Sequence, residues 1–414
     1  MNVPERMDPA GRRDPRRPLH VVVLGPYLRF PNGMAGTSRL RLLSRALVES
    51  GADVLVLCSQ ASERPPQVEN TALRGEVQGV RFEYMTWTTA RHDSLFMRRI
   101  IAGWGWVHTA WKLAGLRWSG HADVAYVWPD AAPRWHHLAG QVVLRALSTP
   151  GVWELNEKPW SLTPPTIVRR LWSPLAGMAG VVPISGFLTE WVGDEARRLR
   201  RFVEIIEVPI VVDVEEQPLS DYPVGDPRTV VFAGSPVYGK TIRFIFTAMQ
   251  RVWKEVPDCR LVVAGANEGD PRALWLYEEA RQEPRICVPG YVDREELLAL
   301  YRQASALLIP MFENANAIAR FPTKLGEYLA SGRPVVTSAV GEVPRFLQDG
   351  LSAIVCAPGD ADAYAEAILA LLRDPGTAAA IGREGRRVAE ERFDYRLYAE
   401  KLYRGFAAVA ARGQ

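Results

Sequence analysis

The chain has 414 residues, of which 48% are hydrophobic and 23% are charged. This length exceeds that of one ordinary domain, and this composition is typical of a globular protein rather than a disordered or fibrous one. The formal charge of +3 lacks the basic excess of a nucleic-acid-binding protein, so we expect no nucleic-acid partner.

The beginning of the chain has no apolar signal segment. No hydrophobic run approaches the ~20 residues that cross a bilayer. We therefore expect a cytoplasmic protein. Residues 1–18 mix Pro, Gly and Arg with few large apolar side chains. They are predicted to form a disordered tail, because burial cannot offset the entropy of ordering them.

From residue 19 onward, short β-branched runs alternate with segments of helical period, which is the pattern of parallel βαβ units. A helix is predicted over 38–50, with Gly51 at its end. We predict one doubly wound N-terminal domain over 19–213. Its predicted strands are 20–26, 52–60, 80–87, 122–128, 151–155, 180–185 and 203–209.

A second series of strands follows a Pro-containing acidic stretch, 215–228, whose composition suits a linker. We predict a second Rossmann-like domain over 214–390 and an amphipathic helix over 391–414. Two such domains in tandem predict a ligand cleft that faces the carboxyl ends of both sheets. The predicted strands are 230–234, 261–265, 286–290, 305–310, 334–338 and 352–358.

The segment 320–338 places a helix start, a cation and a carboxylate before a buried strand. Thr323 is predicted to cap the helix, which leaves the amides of Lys324 and Leu325 free to bind an anion such as a diphosphate. Glu327 lies one turn later and can accept the hydroxyls of a ribose. The alternative is an ordinary amphipathic helix with a solvated Lys–Glu pair.

Residues 228–395 resemble the C-terminal domain of the retaining family 4 glycosyltransferases. The resemblance rests on KLGEYLASGRPVV, VGEVPRFLQDG and APGDADAYAEAILALLRDP, in that order. It implies the α/β architecture called GT-B, with two doubly wound Rossmann-like domains facing a cleft and a C-terminal helix crossing back to the first domain. It also implies sugar transfer from a nucleotide diphosphate sugar to an acceptor hydroxyl, with retention. Glu327 would hold the ribose, and Lys324 would lie near the diphosphate.

The chain departs from the family where a glutamate usually reaches the donor sugar, eight positions before Glu327. That position is Ala319. Glu313, Asn314 and Asn316 lie just upstream and are candidates to contact sugar hydroxyls in its place. The departure leaves the donor sugar undetermined, and a non-catalytic subunit that binds a nucleotide sugar remains an alternative.

GSPVYGKT, residues 234–241, matches the P-loop pattern of NTPases letter for letter. A P-loop would place Lys240 on terminal phosphates and Thr241 on magnesium, but Pro236 removes one amide of the cradle. No later strand ends in the aspartate that would hold the metal. In the glycosyltransferase interpretation, Lys240 neutralises the departing diphosphate, and Ser235 occupies a position where the family often has Arg.

The N-terminal domain offers weaker candidates. Gly36 and the Thr37 amide resemble the family loop that closes on the donor phosphate. The family commonly has a histidine after the fourth strand, whereas this chain has Asp130, which we predict to line the acceptor side. Glu154 and Glu157 follow in the next strand and its loop, where acceptor contact and solvation are both open.

Residues 98–118 hold four tryptophans among basic residues, so peripheral membrane contact and an ordinary packed helix are both open. Asp360 and Asp362 resemble a metal-binding pair but precede a helix, where capping is the better interpretation. We expect neither a metal nor a cofactor, with the nucleotide sugar as donor substrate and a small-molecule, glycan or lipid-linked acceptor.

Overall fold

The computed structural model describes residues 17–25, 29–65, 68–128, 134–157, 173, 175–217 and 228–412. They fall into two compact units, Met1–Pro209 with Tyr395–Gln414, and Ile210–Asp394. Residues 1–16 of the predicted tail and 218–227 of the predicted linker lie outside the described part.

The N-terminal unit is built on an eight-stranded sheet in the order β3-β4-β2-β1-β5-β6-β7-β8. All neighbouring strands pair in parallel except β3 with β4. The strands are β1 (Leu19–Leu24), β2 (Ala52–Cys58), β3 (Arg74–Val77), β4 (Val80–Tyr84), β5 (Val124–Val127), β6 (Gly151–Leu155), β7 (Met178–Pro183) and β8 (Glu204–Ile205).

Two strands of this sheet differ from the prediction. The edge strand β3 was missed because it is short, mostly exposed and carries two charged residues, so it has no apolar alternation. The strand predicted over 203–209 is reduced to β8, although the amides of Ile206 and Val208 beyond it still donate to the carbonyls of Val181 and Pro183 on β7 at 2.9 and 3.1 Å. Before the C-terminal segment, the α-helices in the described residues of this unit are α1 (Ala35–Glu49), α2 (Leu95–Trp118), α3 (Arg134–Ala146) and α4 (Gly186–Arg198).

The C-terminal unit has a six-stranded sheet in the order β11-β10-β9-β12-β13-β14, parallel throughout. This is the 3-2-1-4-5-6 order of the doubly wound dinucleotide-binding fold. Its central strands are buried along their length because helices cover both faces. The strands are β9 (Thr229–Ala233), β10 (Arg260–Ala264), β11 (Ile286–Cys287), β12 (Ala306–Ile309), β13 (Val335–Ser338) and β14 (Ile354–Cys356).

Eight α-helices of the C-terminal unit lie in its described residues. They are α5 (Gly239–Glu255), α6 (Leu274–Gln282), α7 (Arg294–Gln303), α8 (Ala315–Ala319), α9 (Thr323–Ala330), α10 (Val343–Phe346), α11 (Ala361–Arg373) and α12 (Pro375–Val388). The Asp360 side chain accepts the amide hydrogen of Ala363 at 2.9 Å, which confirms that this aspartate caps α11.

The last helix, α13 (Ala399–Arg412), returns to the N-terminal unit, as the resemblance implied. Phe406 is fully buried and meets the Tyr126 ring of β5 edge to face, with 5.0 Å between centroids. Gly405 lies so close to Ile206 that an added Cβ would come within 2.3 Å of it. Because this helix covers the sheet, the first unit is complete only with the end of the chain.

None of the described helices has the length and apolar character needed to traverse a bilayer.

Candidate functional site

The neighbouring strands β9 and β12 mark the point where the strand order of the C-terminal sheet reverses. β9 pairs with β10 on one side and with β12 on the other, so the chain leaves them in opposite directions across the sheet. Doubly wound sheets bind ligands at this point, beyond the carboxyl ends of the strands. The loops 234–238 and 310–314 therefore define the candidate site.

The loop after β9 carries Ser235 and leads into Lys240. The Ser235 hydroxyl accepts a hydrogen bond from the amide of Val237 at 3.4 Å and caps a short 3-10 turn. Lys240 lies in the first turn of α5, and its Nζ is 4.2 Å from the centroid of the Phe312 ring. This cation–π contact joins the two loops of the site. The sequence interpretation missed Phe312, although its place just after β12 was an available signal.

Helix α9 begins at Thr323, but Thr323 is not its cap. The N-cap is Pro322, which has no capping side chain, and the amide of Leu325 donates to the Pro322 carbonyl at 2.9 Å. The predictions that Thr323 caps the helix and that the Leu325 amide is free for an anion are therefore wrong. Pro322 is extended because its ψ is 111°, and Thr323 already has helical geometry, so the helix starts one residue earlier than predicted.

Lys324 lies in the first turn of α9 near two charged side chains. Burial is the largest cause of its lowered pKa. The Glu327 carboxylate counteracts this effect, and the positive charge of Arg294 adds to it. An anion placed at the Lys324 ammonium would favour its charged form. The lysine is thus suited to a ligand that brings its own negative charge.

Glu327 belongs to a chain of three charged side chains. Its Oε1 accepts a hydrogen bond from Nη1 of Arg294 at 2.6 Å, and Nη2 of the same guanidinium donates to Glu216 at 2.6 Å. Both carboxylates raise the pKa of Arg294, against the effect of its burial. Only 13% of the Glu327 side chain is exposed. The alternative of a solvated Lys–Glu pair is therefore wrong, because Glu327 is held by an arginine that the sequence interpretation had missed.

The residues just upstream of α9 differ in how far they are engaged. Asn314 caps α8 by accepting the amide hydrogens of Asn316 and Ala317 at 3.1 and 3.0 Å. Glu313 is exposed, and Asn316 is half-buried. Ala319, at the place of the family glutamate, is fully buried. The predicted roles of Glu313 and Asn316 in binding the sugar stay predictions.

In the N-terminal unit, Gly36 and Thr37 lie in the first turn of α1. The Thr37 hydroxyl donates to the carbonyl of Arg29 at 2.7 Å and closes the preceding loop on the helix. The first amides of a helix have no intrahelical acceptor, which is compatible with the predicted phosphate contact. Asp130 lies outside the described residues.

Glu154 is neither solvated nor free to contact an acceptor, so both interpretations proposed for it are wrong. It is fully buried on β6, and its Oε1 accepts a hydrogen bond from Nε of Arg39 at 2.7 Å. Its other oxygen accepts from the Tyr126 hydroxyl, and Arg39 also donates to the carbonyl of Val208 at 2.9 Å. Burial raises the pKa of Glu154, and the two partners oppose this effect. The cluster joins β6 to the segment that follows β8.

Helix α2 has two opposite faces. Ile101, Gly105, Thr109 and Leu113 are buried at a spacing of four residues. At about 100° per residue, the opposite side carries an exposed stripe of large apolar side chains. We call this the aromatic stripe; its members are Phe96, Ile100, Trp104, Val107, Trp111 and Trp118. The simple picture of a helix packed between strands therefore accounts for one face only.

Comparisons with known proteins agree with this architecture. The family described as "Glycosyl transferases group 1" matches residues 227–374. A glycogen synthase of Mycobacterium tuberculosis is 29% identical over 192 residues, which are 45% of this chain and 44% of that protein. A phosphatidyl-myo-inositol mannosyltransferase of Mycobacterium leprae is 29% identical over 234 residues, 54% of this chain and 59% of that protein. The chain thus spans less than two thirds of either relative.

Among solved structures, Anabaena Alr3699/HepE in complex with UDP and glucose superimposes with a TM-score of 0.67 at 14% identity, covering 94% of this chain and all of that one. Sucrose-phosphate synthase from Thermosynechococcus elongatus gives 0.68 at 17% identity, covering 95% of this chain and all of that one. At these identities the likeness establishes the fold alone. The chain therefore has the GT-B fold and carries in its C-terminal unit a domain of the group 1 glycosyltransferases, which confirms the resemblance to family 4.

Proposed function

We propose that this protein transfers a sugar from a nucleotide diphosphate sugar to an acceptor hydroxyl, with retention of the anomeric configuration. The observation that carries the proposal is the strand-order reversal within the matched group 1 glycosyltransferase region. Lys240 begins the helix after β9, and α9, which carries Lys324 and Glu327, meets β9 where the Ala233 amide donates to the Tyr328 hydroxyl at 2.8 Å. UDP is the first nucleotide to test, because it is bound in the HepE structure.

The two lysines are proposed to stabilise the leaving diphosphate. Negative charge develops on that group as its bond to the sugar breaks, and positive groups already in place lower the barrier. Lys240 is steadied by Phe312 at 4.2 Å, and Lys324 is held in the first turn of α9. Ser235 and the helix starts would add hydrogen bonds to the same phosphates.

Glu327 is proposed to hold the ribose. A carboxylate that accepts two hydroxyls must be fixed in orientation, and Arg294 fixes it through a 2.6 Å hydrogen bond. Arg294 is in turn held by Glu216, also at 2.6 Å. The nucleotide would thus meet a carboxylate that is already ordered before binding.

On the remaining positions the proposal follows the family resemblance. Glu313 and Asn316 would contact the donor sugar, Gly36 and Thr37 the donor phosphate, and Asp130 the acceptor. The leaving phosphate would itself accept the proton of the acceptor hydroxyl on the same face of the sugar. The proposed reaction then needs no metal and no separate base.

A turnover assay tests the proposed reaction. Release of nucleoside diphosphate is measured from UDP-, GDP- and TDP-sugars with a panel of sugar and lipid acceptors. Lys240→Ala and Lys324→Ala should each lower the rate by about 10²–10³-fold. Lys254→Ala is the matched control, because Lys254 is an exposed lysine at the other end of α5. Full rates in both site variants would refute the site, and donor binding without turnover on any acceptor would favour a non-catalytic subunit.

The aromatic stripe supports a second part of the proposal, peripheral contact with a membrane. Trp111 is 71% exposed, and the ring centroid of Trp104 lies 6.1 Å from that of the exposed Trp87. Tryptophan favours the interface of a bilayer, and α2 contains basic residues but no acidic ones. We propose that the stripe lies on an anionic bilayer surface, where a lipid-linked acceptor would be within reach.

Vesicle co-sedimentation tests this contact, with vesicles of phosphatidylcholine alone or mixed with phosphatidylglycerol. The double variant Trp104→Gln/Trp111→Gln should lose most of its binding to the anionic vesicles. Leu274→Gln removes an exposed apolar side chain of the C-terminal unit and should leave binding unchanged. Equal sedimentation of the double variant and the unaltered protein would contradict membrane contact.

A further inference from the structure

A cavity of about 240 Å³ lies in the N-terminal unit, outside the nucleotide site. It opens beside the residues that follow β2 and against the first turns of α2. β2 is a parallel strand, so this is the carboxyl edge of the sheet, where open α/β sheets bind ligands. The lining is Gln60, Ala61, Ser62, Arg64, Arg91, His92, Arg98, Ile101 and Ala102.

Three arginines give this cavity its character. Arg91 and Arg98 are half-buried, and Arg64 is exposed at the rim. Burial lowers the pKa of Arg91, and the positive charges of Arg98 and Arg64 lower it further. Arg91 is therefore repelled by both of the other cations. No acidic residue is among those that line the cavity in the described part of the chain.

Two acidic residues adjoin the lining residues along the chain. Asp93, next to His92, is exposed and is not among the lining residues, and Glu63, between Ser62 and Arg64, is engaged elsewhere. Its carboxylate accepts two hydrogen bonds from Arg29 at 3.0 and 2.8 Å and one from the Asn70 amide at 2.6 Å. The backbone carbonyl of Glu63 accepts a hydrogen bond from the Arg91 amide at 2.7 Å. This bond fixes the position of the Arg91 backbone. Arg98 is oriented by a hydrogen bond from its Nε to the carbonyl of His92.

We propose that this cavity binds an anionic group of the acceptor, a phosphate or a carboxylate, through Arg64, Arg91 and Arg98. The inference rests on the proposed sugar transfer, because it assigns the acceptor. Guanidinium groups bind such anions through paired hydrogen bonds, and an anion would offset the repulsion of Arg91 by the other two cations. The anion could belong to a soluble phosphorylated compound or to a lipid headgroup, since Arg98 lies on the helix that carries the aromatic stripe.

Calorimetric titration with inorganic phosphate tests the cavity. The titration is made in the Lys240→Ala/Lys324→Ala protein, so that the lysines of the nucleotide site cannot hold the phosphate. Adding Arg91→Gln/Arg98→Gln to this protein should weaken phosphate binding by about tenfold or more. Adding Arg99→Gln, a change at an exposed arginine next to Arg98, should not. Arg91→Lys is the second variant, which keeps the charge but loses the paired hydrogen-bond geometry. Its phosphate affinity should lie between those of the Arg91→Gln/Arg98→Gln and Arg99→Gln proteins.

Equal phosphate affinity in the Arg91→Gln/Arg98→Gln and Arg99→Gln proteins would overturn the proposal. Binding of UDP, GDP and TDP by the protein with both lysines intact is measured in parallel. If a nucleoside diphosphate binds but phosphate affinity is unchanged by the substitutions of the cavity arginines, the acceptor inference alone has failed. If phosphate binding follows the arginines but no nucleoside diphosphate binds, the proposed sugar transfer has failed.

The source of the anion is read from two further arms. Loss of binding to phosphatidylglycerol vesicles in the Arg91→Gln/Arg98→Gln protein would assign the cavity to a lipid headgroup. Unchanged vesicle binding, together with weakened binding of phosphate and of a soluble sugar phosphate, would assign it to a free phosphorylated acceptor. Either pattern supports the site.

Discussion

At the scale of single residues, the proposed role of Glu327 is to bind the ribose and not the phosphates, so a substitution there tests the two contacts separately. Glu327→Gln keeps the shape of the side chain but removes the charge that Arg294 and the ribose hydroxyls would share. We expect it to lower UDP affinity by about 10–100-fold, the effect of losing hydrogen bonds to a charged group. The affinity for inorganic pyrophosphate should change little, because its proposed contacts are Lys240 and Lys324.

Calorimetry of both ligands checks this separation, with Glu366→Gln as the control. Glu366 is also paired with an arginine, Arg251, but lies on α11 away from the proposed site. An equal loss of UDP and pyrophosphate affinity in Glu327→Gln would mean that the variant perturbs the whole helix rather than the ribose contact.

Lys324 should make nucleotide affinity depend on pH. Its pKa in the free protein is lowered, chiefly by burial, so it loses its proton at a lower pH than an ordinary lysine. A bound diphosphate favours the charged form, so binding takes up a proton and affinity falls as pH rises through this lowered pKa. Lys324→Arg carries a charge that does not titrate in this range and should flatten the dependence. Titration calorimetry from neutral to alkaline pH measures it; the same slope in both proteins would assign the dependence to another group.

At the scale of elements, the docking of α2 depends on a glycine. A Cβ on Gly105 would lie 2.0 Å from the carbonyl oxygen of Ser59, a backbone atom that cannot yield without moving β2. Gly105→Ala should therefore destabilise the protein by roughly 1–3 kcal/mol in denaturant unfolding. Gly115→Ala, in the same helix with nothing within 4 Å, should be neutral or slightly stabilising. Equal effects of the two changes would contradict the described packing of α2.

The elements also explain which features the sequence could predict. Buried parallel strands such as β9 and β12 are continuous apolar runs, so their positions were predicted to within a residue or two. The cap of α9 and the edge strand β3 were not, because a proline set one boundary and a tertiary pairing the other. The partners of Glu327 and Glu154 also escaped prediction. Arg294 lies 33 positions from Glu327 and Arg39 lies 115 from Glu154, and no local pattern joins them.

At the scale of the whole molecule, each unit has its own sheet and core, so unfolding need not be a single transition. Phe406→Ala empties a fully buried position between α13 and β5 and should destabilise the N-terminal unit by about 3–5 kcal/mol. In both the unaltered protein and Phe406→Ala, UDP should shift the unfolding transition of the C-terminal unit. Differential scanning calorimetry with and without UDP therefore distinguishes the transitions of the two units. A variant in which both transitions fall equally would show that the units unfold as one.

The central claim, that the C-terminal unit binds a nucleoside diphosphate through Lys240, Lys324 and Glu327, is tested most directly by one titration. UDP, GDP, TDP and ATP are titrated calorimetrically into the protein and into Glu327→Ala, with and without magnesium. The account predicts tight binding of one nucleoside diphosphate without metal, weakened in the variant. Selective, magnesium-dependent binding of ATP with the same affinity in Glu327→Ala would contradict the account and would make residues 234–241 a true P-loop.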